Sequence, residues 1–329
     1  NLPVLNELFA DTPGYSLYLF PLKALAQDQL NILNQLFASL SSSVSGKCEK
    51  IAAVFDGDTS PYMRRKIRSS PPPAILTNPE MVHLSILPYH EIWSHFFRRL
   101  KYIVIDEVHS YRGVLGSHMA WVLRRLKRLA AYYGSRPTFI LLSATIGNPE
   151  ELGRMLTGRT VHVVDSSGAP QAEKNVLFLN PWDSAAYTAS QLLEAAVKRG
   201  LRTIVYTQSR KMTELIHIWT SPRLGKSASK LSSYRAGFLP EERREIEKQL
   251  FSGGLLGVIS TTALELGIDI GNLDLCILVG YPGSIIATWQ RGGRVGRSAQ
   301  ESAVILIAQE DALDQHFMRV PEDFFKRTP

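Results

Sequence analysis

Short apolar runs of strand length alternate with stretches of helical periodicity along almost the whole chain. Strands are predicted at residues 16–20, 50–55, 74–77, 102–105 and 138–142, and again at 203–206, 257–260, 275–279 and 303–308. Such alternation is typical of parallel sheets covered by helices. The polar stretch 165–174 contains Gly and Pro and is the best candidate for a linker. We therefore predict an α/β protein of two tandem domains, 1–168 and 169–329, each a mainly parallel sheet flanked by helices.

The chain of 329 residues has an ordinary globular composition, with 45% hydrophobic and 20% charged residues, which argues against long disordered, collagen-like and coiled-coil structures. No apolar run approaches the roughly 18 residues that span a bilayer. Two cysteines exclude a disulfide framework and a cysteine metal site. The formal net charge of +7 suggests a polyanionic partner whose phosphates are bound at defined sites. We expect a cytoplasmic protein, associated with the nucleoid in a bacterium, without membrane contact.

The segment 119–133 combines an apolar stripe of helical period with a basic opposite side, formed by Arg124, Arg125, Lys127 and Arg128. This basic face could contact nucleic acid. A charge run on a helix is more often only solvated surface, and we favour that interpretation here.

A hydrophobic strand that ends in two carboxylates is the strongest local signal. Residues 102–105 are followed directly by Asp106 and Glu107, which places both at the carboxyl edge of a parallel sheet, where such folds bind ligands. There Asp106 could hold Mg²⁺, while Glu107 orients or deprotonates a water that attacks a γ-phosphate. By themselves, the two residues are equally compatible with a strand that ends in a polar turn.

Two further motifs strengthen the first. Ser143, Ala144 and Thr145 follow the next predicted strand on a tight turn. In the second half, Arg291, Arg294 and Arg297 are spaced by three residues with glycines between them, so helical geometry puts all three on a single face. A triphosphate is the natural partner of such a face. A surface salt-bridge helix is disfavoured, because no acidic run flanks the segment.

These motifs resemble those of superfamily-two helicases in order and approximate spacing. Residues 106–109, 143–145 and 290–297 resemble motifs II, III and VI, and residues 20–25, 76–80, 205–210 and 260–269 resemble motifs Ia, Ib, IV and V. A closer resemblance is to the mitomycin-repair-factor-A type of DNA helicase, which is related to RecQ-four-like enzymes. It rests on residues 106–118, 234–237, 240–243 and 318–329, and the large-helicase-related proteins are the nearest competitor.

The resemblance implies two RecA-like domains that use ATP and Mg²⁺. It implies that Asp106 coordinates Mg²⁺ through water, that Glu107 is the catalytic base, and that His109 couples the nucleotide site to motif VI. Gln290 would help to position the attacking water, Arg294 and Arg297 would act as arginine fingers, and Gly267, Asp269 and Arg291 would contact the nucleotide. Ser143, Ala144 and Thr145 would link hydrolysis to movement between the domains.

The resemblance also implies a single-stranded nucleic acid as partner, with DNA favoured. The candidate contacts are Pro21, Lys23, Gly57, Thr59, Thr77, Asn78, Gln208, Ser209, Arg210, Thr261 and Thr262. Hydroxyls, amides and loop N–H groups at strand ends contact phosphates without reading bases, which suits a motor that moves over any sequence. Trp93, Trp182 and Trp289 could stack on bases, but a core or interface position is the commoner place for tryptophan.

A helicase of this type needs a phosphate loop, G-x-x-x-x-G-K-[ST], ahead of motif Ia, and the sequence has none there. Residues 45–48 and 220–227 resemble it only in part, and we reject both. In the resembled family, Asn-Leu-Pro follows the loop lysine closely, and a four-cysteine region lies beyond the second domain. We therefore expect this chain to be an internal fragment that does not hydrolyse ATP efficiently by itself.

The sequence thus predicts the core of an ATP-dependent DNA helicase or translocase that moves 3′→5′ on single-stranded DNA, with a role in DNA repair. One alternative is a catalytically inactive nucleic-acid-binding scaffold. The retained carboxylates and arginines argue against it, because a scaffold does not need them. A second alternative is an RNA-directed helicase, which sequence hardly separates from a DNA helicase, because backbone contacts are common to both.

Overall fold

The computed structural model describes residues 1–8, 13–41, 51–144, 146–166, 168, 173–235, 237–264, 271–296 and 301–326. The chain divides into two compact units, Asn1–Val164 and Asp165–Pro329. The predicted domain boundary, after residue 168, lies a few residues beyond this division.

The first unit is built on a five-stranded parallel sheet with strand order β2-β3-β1-β4-β5. Its strands are β1 (Tyr15–Leu19), β2 (Ala52–Val54), β3 (Ala74–Thr77), β4 (Leu100–Ile105) and β5 (Thr138–Leu141). All five were predicted from apolar runs, and β3 has the predicted bounds. Because β1 lies between β3 and β4, every residue of β1 is buried.

Helices cover both faces of this sheet. They are α1 (Leu2–Leu8), α2 (Lys23–Ser41), α3 (Pro61–Ser69), α4 (Pro79–Met81), α5 (Ser94–Arg98), α6 (Gly113–Tyr132) and α7 (Pro149–Thr157), with a π-helical turn at Val82–Ile86 and a 3₁₀ turn at Val108–Ser110. Helix α6 begins six residues before the predicted segment. Gly116 permits this early start, because a Cβ there would lie only 2.5 Å from the Tyr111 carbonyl oxygen.

Side chains of alternating strand residues form two cores in this unit. On one face, Leu17, Leu19 and Ile103 pack with residues of α5 and α6. On the other face, Tyr18 and Val104 pack with residues of α1 and α2. The alternation follows from the two-residue period of a strand whose faces are both covered.

The second unit is built on a six-stranded parallel sheet with strand order β6-β11-β10-β7-β9-β8. Its strands are β6 (Lys174–Leu179), β7 (Thr203–Tyr206), β8 (Leu231–Tyr234), β9 (Gly257–Ser260), β10 (Leu275–Val279) and β11 (Ser302–Ile307). The sequence did not predict the two edge strands. β6 begins inside the segment taken as a linker, and β8 has two serines at its centre and so lacks an apolar run.

The helices of the second unit are α8 (Ala185–Lys198), α9 (Arg210–Leu224), α10 (Pro240–Ser252), α11 (Ile285–Gly292), α12 (Ala312–Arg319) and α13 (Glu322–Lys326), with 3₁₀ turns at Gly225–Lys230 and Thr262–Leu264. Helix α10 begins with a proline at its first position. Two cores again lie on opposite faces of the sheet. A third cluster joins Tyr281, Ile285, Phe317 and Phe324. Among the helices that the structure describes, none is both long and apolar enough to cross a membrane.

Candidate functional site

The carboxyl edge of the first sheet brings together most of the predicted site residues of that unit. Since all five strands are parallel, their carboxyl ends lie along one edge. In spatial order, β2 is followed by Gly57 and Thr59, β3 ends in Thr77 and is followed by Asn78, β1 is followed by Pro21 and Lys23, β4 by Asp106 and Glu107, and β5 by Ser143 and Ala144. The predicted nucleic-acid residues therefore follow three adjacent strands, the predicted catalytic residues follow β4, and the predicted coupling residues follow β5.

Asp106 occupies a partly buried position directly after β4. Its backbone N–H donates to the Leu19 carbonyl at 3.0 Å, and its Oδ1 accepts from the Glu107 N–H at 2.9 Å. Burial raises the pKa of the Asp106 carboxyl, and the hydrogen bond from Glu107 offsets part of that rise. A carboxylate that has lost solvent in this way is stabilised by a nearby cation.

Glu107 is the only non-glycine residue with a positive φ in the described part of the chain. Its φ of 51° and ψ of 46° are left-handed helical values, which usually cost a non-glycine residue on the order of 1–2 kcal/mol. The reversal turns the chain directly into the 3₁₀ turn Val108–Ser110. There the Val108 N–H donates to the Leu142 carbonyl at 2.9 Å, so the turn after β4 is fastened to the end of β5. Such strain is concentrated at functional sites.

The His109 ring joins the two strand ends. Its Nδ1 lies 3.2 Å from the Ser143 Oγ and accepts from the Ala144 N–H at 3.4 Å. Its Nε2 lies 3.3 Å from the Glu107 Oε2. Because Nδ1 is an acceptor, the fitting tautomer is neutral and carries its proton on Nε2, which donates to Glu107. Burial lowers the pKa of His109, and the Arg112 guanidinium lowers it further, so both favour the neutral ring.

This lowered pKa predicts a pH-dependent contribution to stability. As the pH falls through about 6.5, the usual histidine pKa, the ring takes up a proton in the unfolded chain before it does so in the native one. We therefore expect wild type to lose stability relative to His109→Asn as the pH falls below that value, at no more than about 1.4 kcal/mol per pH unit, the limit for one proton. Urea unfolding between pH 5 and 8 measures the difference. A difference that stays constant over this range would contradict the neutral ring.

The loop after β2 packs against the start of α2. Lys23 Nζ donates to the Asp58 Oδ1 at 2.7 Å, and a Cβ at Gly57 would lie 3.3 Å from the same Nζ. The loop is held by Asp56, whose Oδ1 accepts from the N–H groups of Asp58 and Thr59 at 3.0 Å each. Lys23 and the loop thus form one exposed surface, in which the Lys23 ammonium is paired with Asp58.

Three predicted nucleic-acid side chains have bonding partners within the fold. The Thr59 hydroxyl lies 3.0 Å from the Asp56 Oδ1, the buried Thr77 hydroxyl donates to the Phe55 carbonyl at 2.5 Å, and the Asn78 Oδ1 accepts from the Met81 N–H at 2.8 Å as the cap of α4. These bonds shape the strand ends, so contacts to a ligand here would come chiefly from the backbone.

In the second unit, the predicted nucleic-acid residues follow two neighbouring strands, β7 and β9. Ser209 caps α9 through a bond from the Met212 N–H at 3.2 Å, and Gln208 Nε2 donates to the Tyr281 carbonyl at 3.1 Å. Arg210, at the first position of α9, is exposed. Thr261 and Thr262 follow β9, and Thr262 is exposed.

The predicted single helical face of arginines is wrong. Helix α11 contains Gln290 and Arg291 but ends at Gly292, because two successive glycines favour termination. Arg294 lies beyond the helix in a turn, where its N–H donates to the Arg291 carbonyl at 3.1 Å. Arg291 is 5% exposed, and its guanidinium lies over the Tyr206 ring, 5.3 Å from the centroid. Arg291 therefore belongs to a helix and Arg294 to a turn, so their side chains do not share a helical face.

Several predicted residues lie outside the described part of the chain: Thr145, Gly267, Asp269 and Arg297. Their proposed roles stay predictions. Of the tryptophans considered for base stacking, Trp93 is fully buried, Trp289 packs on Phe324 with ring centroids 5.6 Å apart, and Trp182 is fully exposed.

Sequence reasoning missed residues that organise both strand edges. Asp56 shapes the loop after β2, and its signal was the turn-forming sequence Asp-Gly-Asp-Thr. In the second unit, Asp314 is 1% exposed and accepts from the N–H groups of Tyr281 at 2.9 Å and Gln309 at 2.7 Å, which joins the ends of β10 and β11. No local pattern marks Asp314, because its partners lie elsewhere in the sequence.

Comparisons with known proteins identify the family. The DEAD/DEAH box helicase model matches residues 1–152, and the helicase conserved C-terminal domain model matches residues 187–299. The uncharacterized ATP-dependent helicase YprA of Bacillus subtilis is 46% identical over all of this chain, which spans 44% of YprA. The crystal structure of the DUF1998 helicase MrfA bound to DNA and AMPPNP superposes with a TM-score of 0.94 at 46% identity, covering 100% of this chain and 46% of MrfA. The helicase Lhr of Mycobacterium smegmatis, bound to ssDNA and AMP-PNP, gives a TM-score of 0.73 at 28% identity, covering 93% of this chain and 41% of Lhr.

The chain belongs to the superfamily-two helicases of the DEAD/DEAH box type, with two RecA-like units. Within that superfamily it is similar to the MrfA helicases over its whole length, as the sequence predicted. It spans less than half the length of these relatives.

Proposed function

We propose that this chain is the motor core of an ATP-dependent helicase that translocates on single-stranded DNA. The observation that carries the proposal is the linked group at the carboxyl edge of the first sheet. There Glu107, His109 and Ser143 are joined by hydrogen-bonding contacts, beside a partly buried Asp106. The predicted nucleic-acid residues follow the neighbouring strands of the same edge.

In this proposal, Glu107 removes a proton from the water that attacks the γ-phosphate of ATP, so that ADP and inorganic phosphate are formed. The His109 N–H, donated to the Glu107 carboxylate, keeps that side chain in one orientation. Asp106 fits an Mg²⁺ ion held through water, since its desolvated carboxylate gains from a cation and Mg²⁺ retains most of its own water. The bound ion would neutralise charge on the phosphates. Gln290, Arg294 and Arg297 would serve the same reaction from the second unit.

The proposed nucleic-acid partner is single-stranded DNA, because MrfA is described with DNA and Lhr with ssDNA. Contacts would run along the strand ends of each sheet through Lys23, the loop at Gly57, Arg210 and the backbone near Thr261. Such contacts address phosphates and leave the sequence unread. From the similarity to the family, we also propose that the motor moves 3′→5′ and acts in DNA repair.

DNA-stimulated ATP turnover tests this function. Turnover is measured on the full-length protein with no nucleic acid, with single-stranded DNA and with RNA of equal length. We expect turnover that single-stranded DNA stimulates. Greater stimulation by RNA would establish the RNA-directed alternative. DNA binding without any turnover would establish the scaffold.

A further inference from the structure

The outer face of α6 presents a continuous stripe of basic and aromatic side chains. His118, Trp121, Arg125, Arg128 and Tyr132, hereafter the α6 stripe, follow one another at intervals of three and four residues, and all five are exposed. That spacing places them on one side of the helix. At about 1.5 Å per residue, the stripe is about 21 Å long.

The charge of this helix has one sign. Helix α6 contains three arginines and a lysine and no acidic residue. Lys127 is turned towards α7, where its Nζ donates to the Thr157 carbonyl at 2.7 Å. Arg125 is oriented by His83 of the π-helical turn, with 2.8 Å between its Nη1 and the His83 Nδ1. The arginines of the stripe thus have no acidic neighbour within their own helix.

The exposed Trp121 suggests that this basic surface binds a ligand. Its side chain is 66% exposed, although a surface tryptophan with no ligand leaves a large apolar area in water. The Arg124 guanidinium lies over the Trp121 ring, 5.5 Å from the centroid. Proteins that bind single strands combine exposed aromatic rings, on which bases stack, with basic side chains that contact the phosphates. Tyr132, 76% exposed, offers a second ring towards the end of the stripe.

We propose that the α6 stripe is a second binding surface for single-stranded nucleic acid, separate from the strand ends of the two sheets. Trp121 would stack on a base, and Arg125 and Arg128 would contact phosphates on either side of it. The absence of acidic residues in α6 favours a polyanion over a protein surface. The basic residues alone indicated only a solvated face, and the exposed Trp121 is what argues for a ligand. The inference shares its ligand with the proposed function but depends on different residues.

Binding of a labelled single-stranded DNA to the protein, measured by fluorescence anisotropy over a range of salt concentrations, tests the α6 stripe. We expect Arg125→Ala/Arg128→Ala to weaken binding and to reduce the log–log salt slope by about 1.4, at roughly 0.7 for each phosphate that the protein no longer neutralises. We expect Trp121→Ala to weaken binding about tenfold, and Trp121→Phe to restore most of the affinity, because phenylalanine also stacks. Arg244→Ala/Lys248→Ala, which removes two exposed charges from α10, is the matched control and should leave the slope unchanged.

The outcomes separate this inference from the proposed function. If the stripe variants bind with wild-type affinity and slope while Lys23→Ala/Arg210→Ala weakens binding, the α6 stripe is not a nucleic-acid surface and the strand-end contacts stand. If only the stripe variants weaken binding, the inference stands and the strand-end path fails. If the log–log salt slope falls equally in the α10 control, the loss reflects net charge alone, and the inference is overturned. If the wild-type protein does not bind single-stranded DNA, both are wrong.

Discussion

Glu107→Gln is expected to lower ATP turnover by about 10²-fold or more while nucleotide and DNA binding persist. A general base typically contributes about 10²–10⁴-fold, and glutamine cannot accept the proton of the attacking water. The substitution is otherwise conservative, because a glutamine oxygen can still accept from the His109 Nε2–H, which lies 3.3 Å from the Glu107 carboxylate. Turnover is measured in the full-length protein with saturating single-stranded DNA.

Glu151→Gln is the matched control, since it makes the same chemical change at an exposed site in the first turn of α7. It should leave turnover unchanged. The affinities for nucleotide and DNA show whether Glu107→Gln has damaged the site itself. Equal turnover in wild type and Glu107→Gln would remove Glu107 from the role of base and would leave Asp106 as the carboxylate to test next.

The sheets of both units could be predicted largely because parallel strands covered on both faces are continuously apolar. The runs that became β3, β7, β9 and β10 have their predicted bounds. An edge strand such as β8, with the sequence Leu-Ser-Ser-Tyr, carries no such signal, because only one of its two sides is paired and its central residues are partly exposed.

The site could be predicted only as far as strand ends define it. The sequence placed Asp106 and Ser143 after successive strands. Because β4 and β5 are neighbours in the sheet, the segments that follow them lie side by side. It did not predict that His109 contacts Ser143 and Glu107, since its expected partner was motif VI in the other unit. That coupling stays a prediction. A side chain's partner depends on the turn that aims it, here the left-handed backbone of Glu107.

The arginine segment shows where the spacing of residues in the sequence leads to a wrong prediction. A spacing of three residues predicts a common helical face only while the helix continues, and Gly292 ends it. The position of Arg291 then depends on tertiary contacts, which place its guanidinium over Tyr206 of a strand remote in sequence. The contacts that support α11 are therefore more informative than the spacing of the three arginines.

Phe324→Ala is expected to lower the free energy of unfolding of the second unit by about 3–5 kcal/mol, the usual cost of truncating a buried phenylalanine. Phe324, in α13, is 1% exposed, and its ring lies 5.6 Å from Trp289 and 5.5 Å from both Phe317 and Phe178. Because Trp289 directly precedes Gln290 in α11, this aromatic cluster supports the helix that carries Gln290, one of the predicted catalytic residues of the second unit.

Phe325→Ala, at the next position of α13, provides the control, since that ring is 55% exposed. We expect it to cost less than about 1.5 kcal/mol, because less of its surface leaves water on folding. Urea unfolding monitored by tryptophan fluorescence compares both variants with wild type. Equal decreases in stability in the two variants would mean that the cluster does not stabilise the unit through the buried ring. A large decrease confined to Phe324→Ala would instead show that α13 stabilises the second unit through its buried ring, which packs on Trp289 of α11.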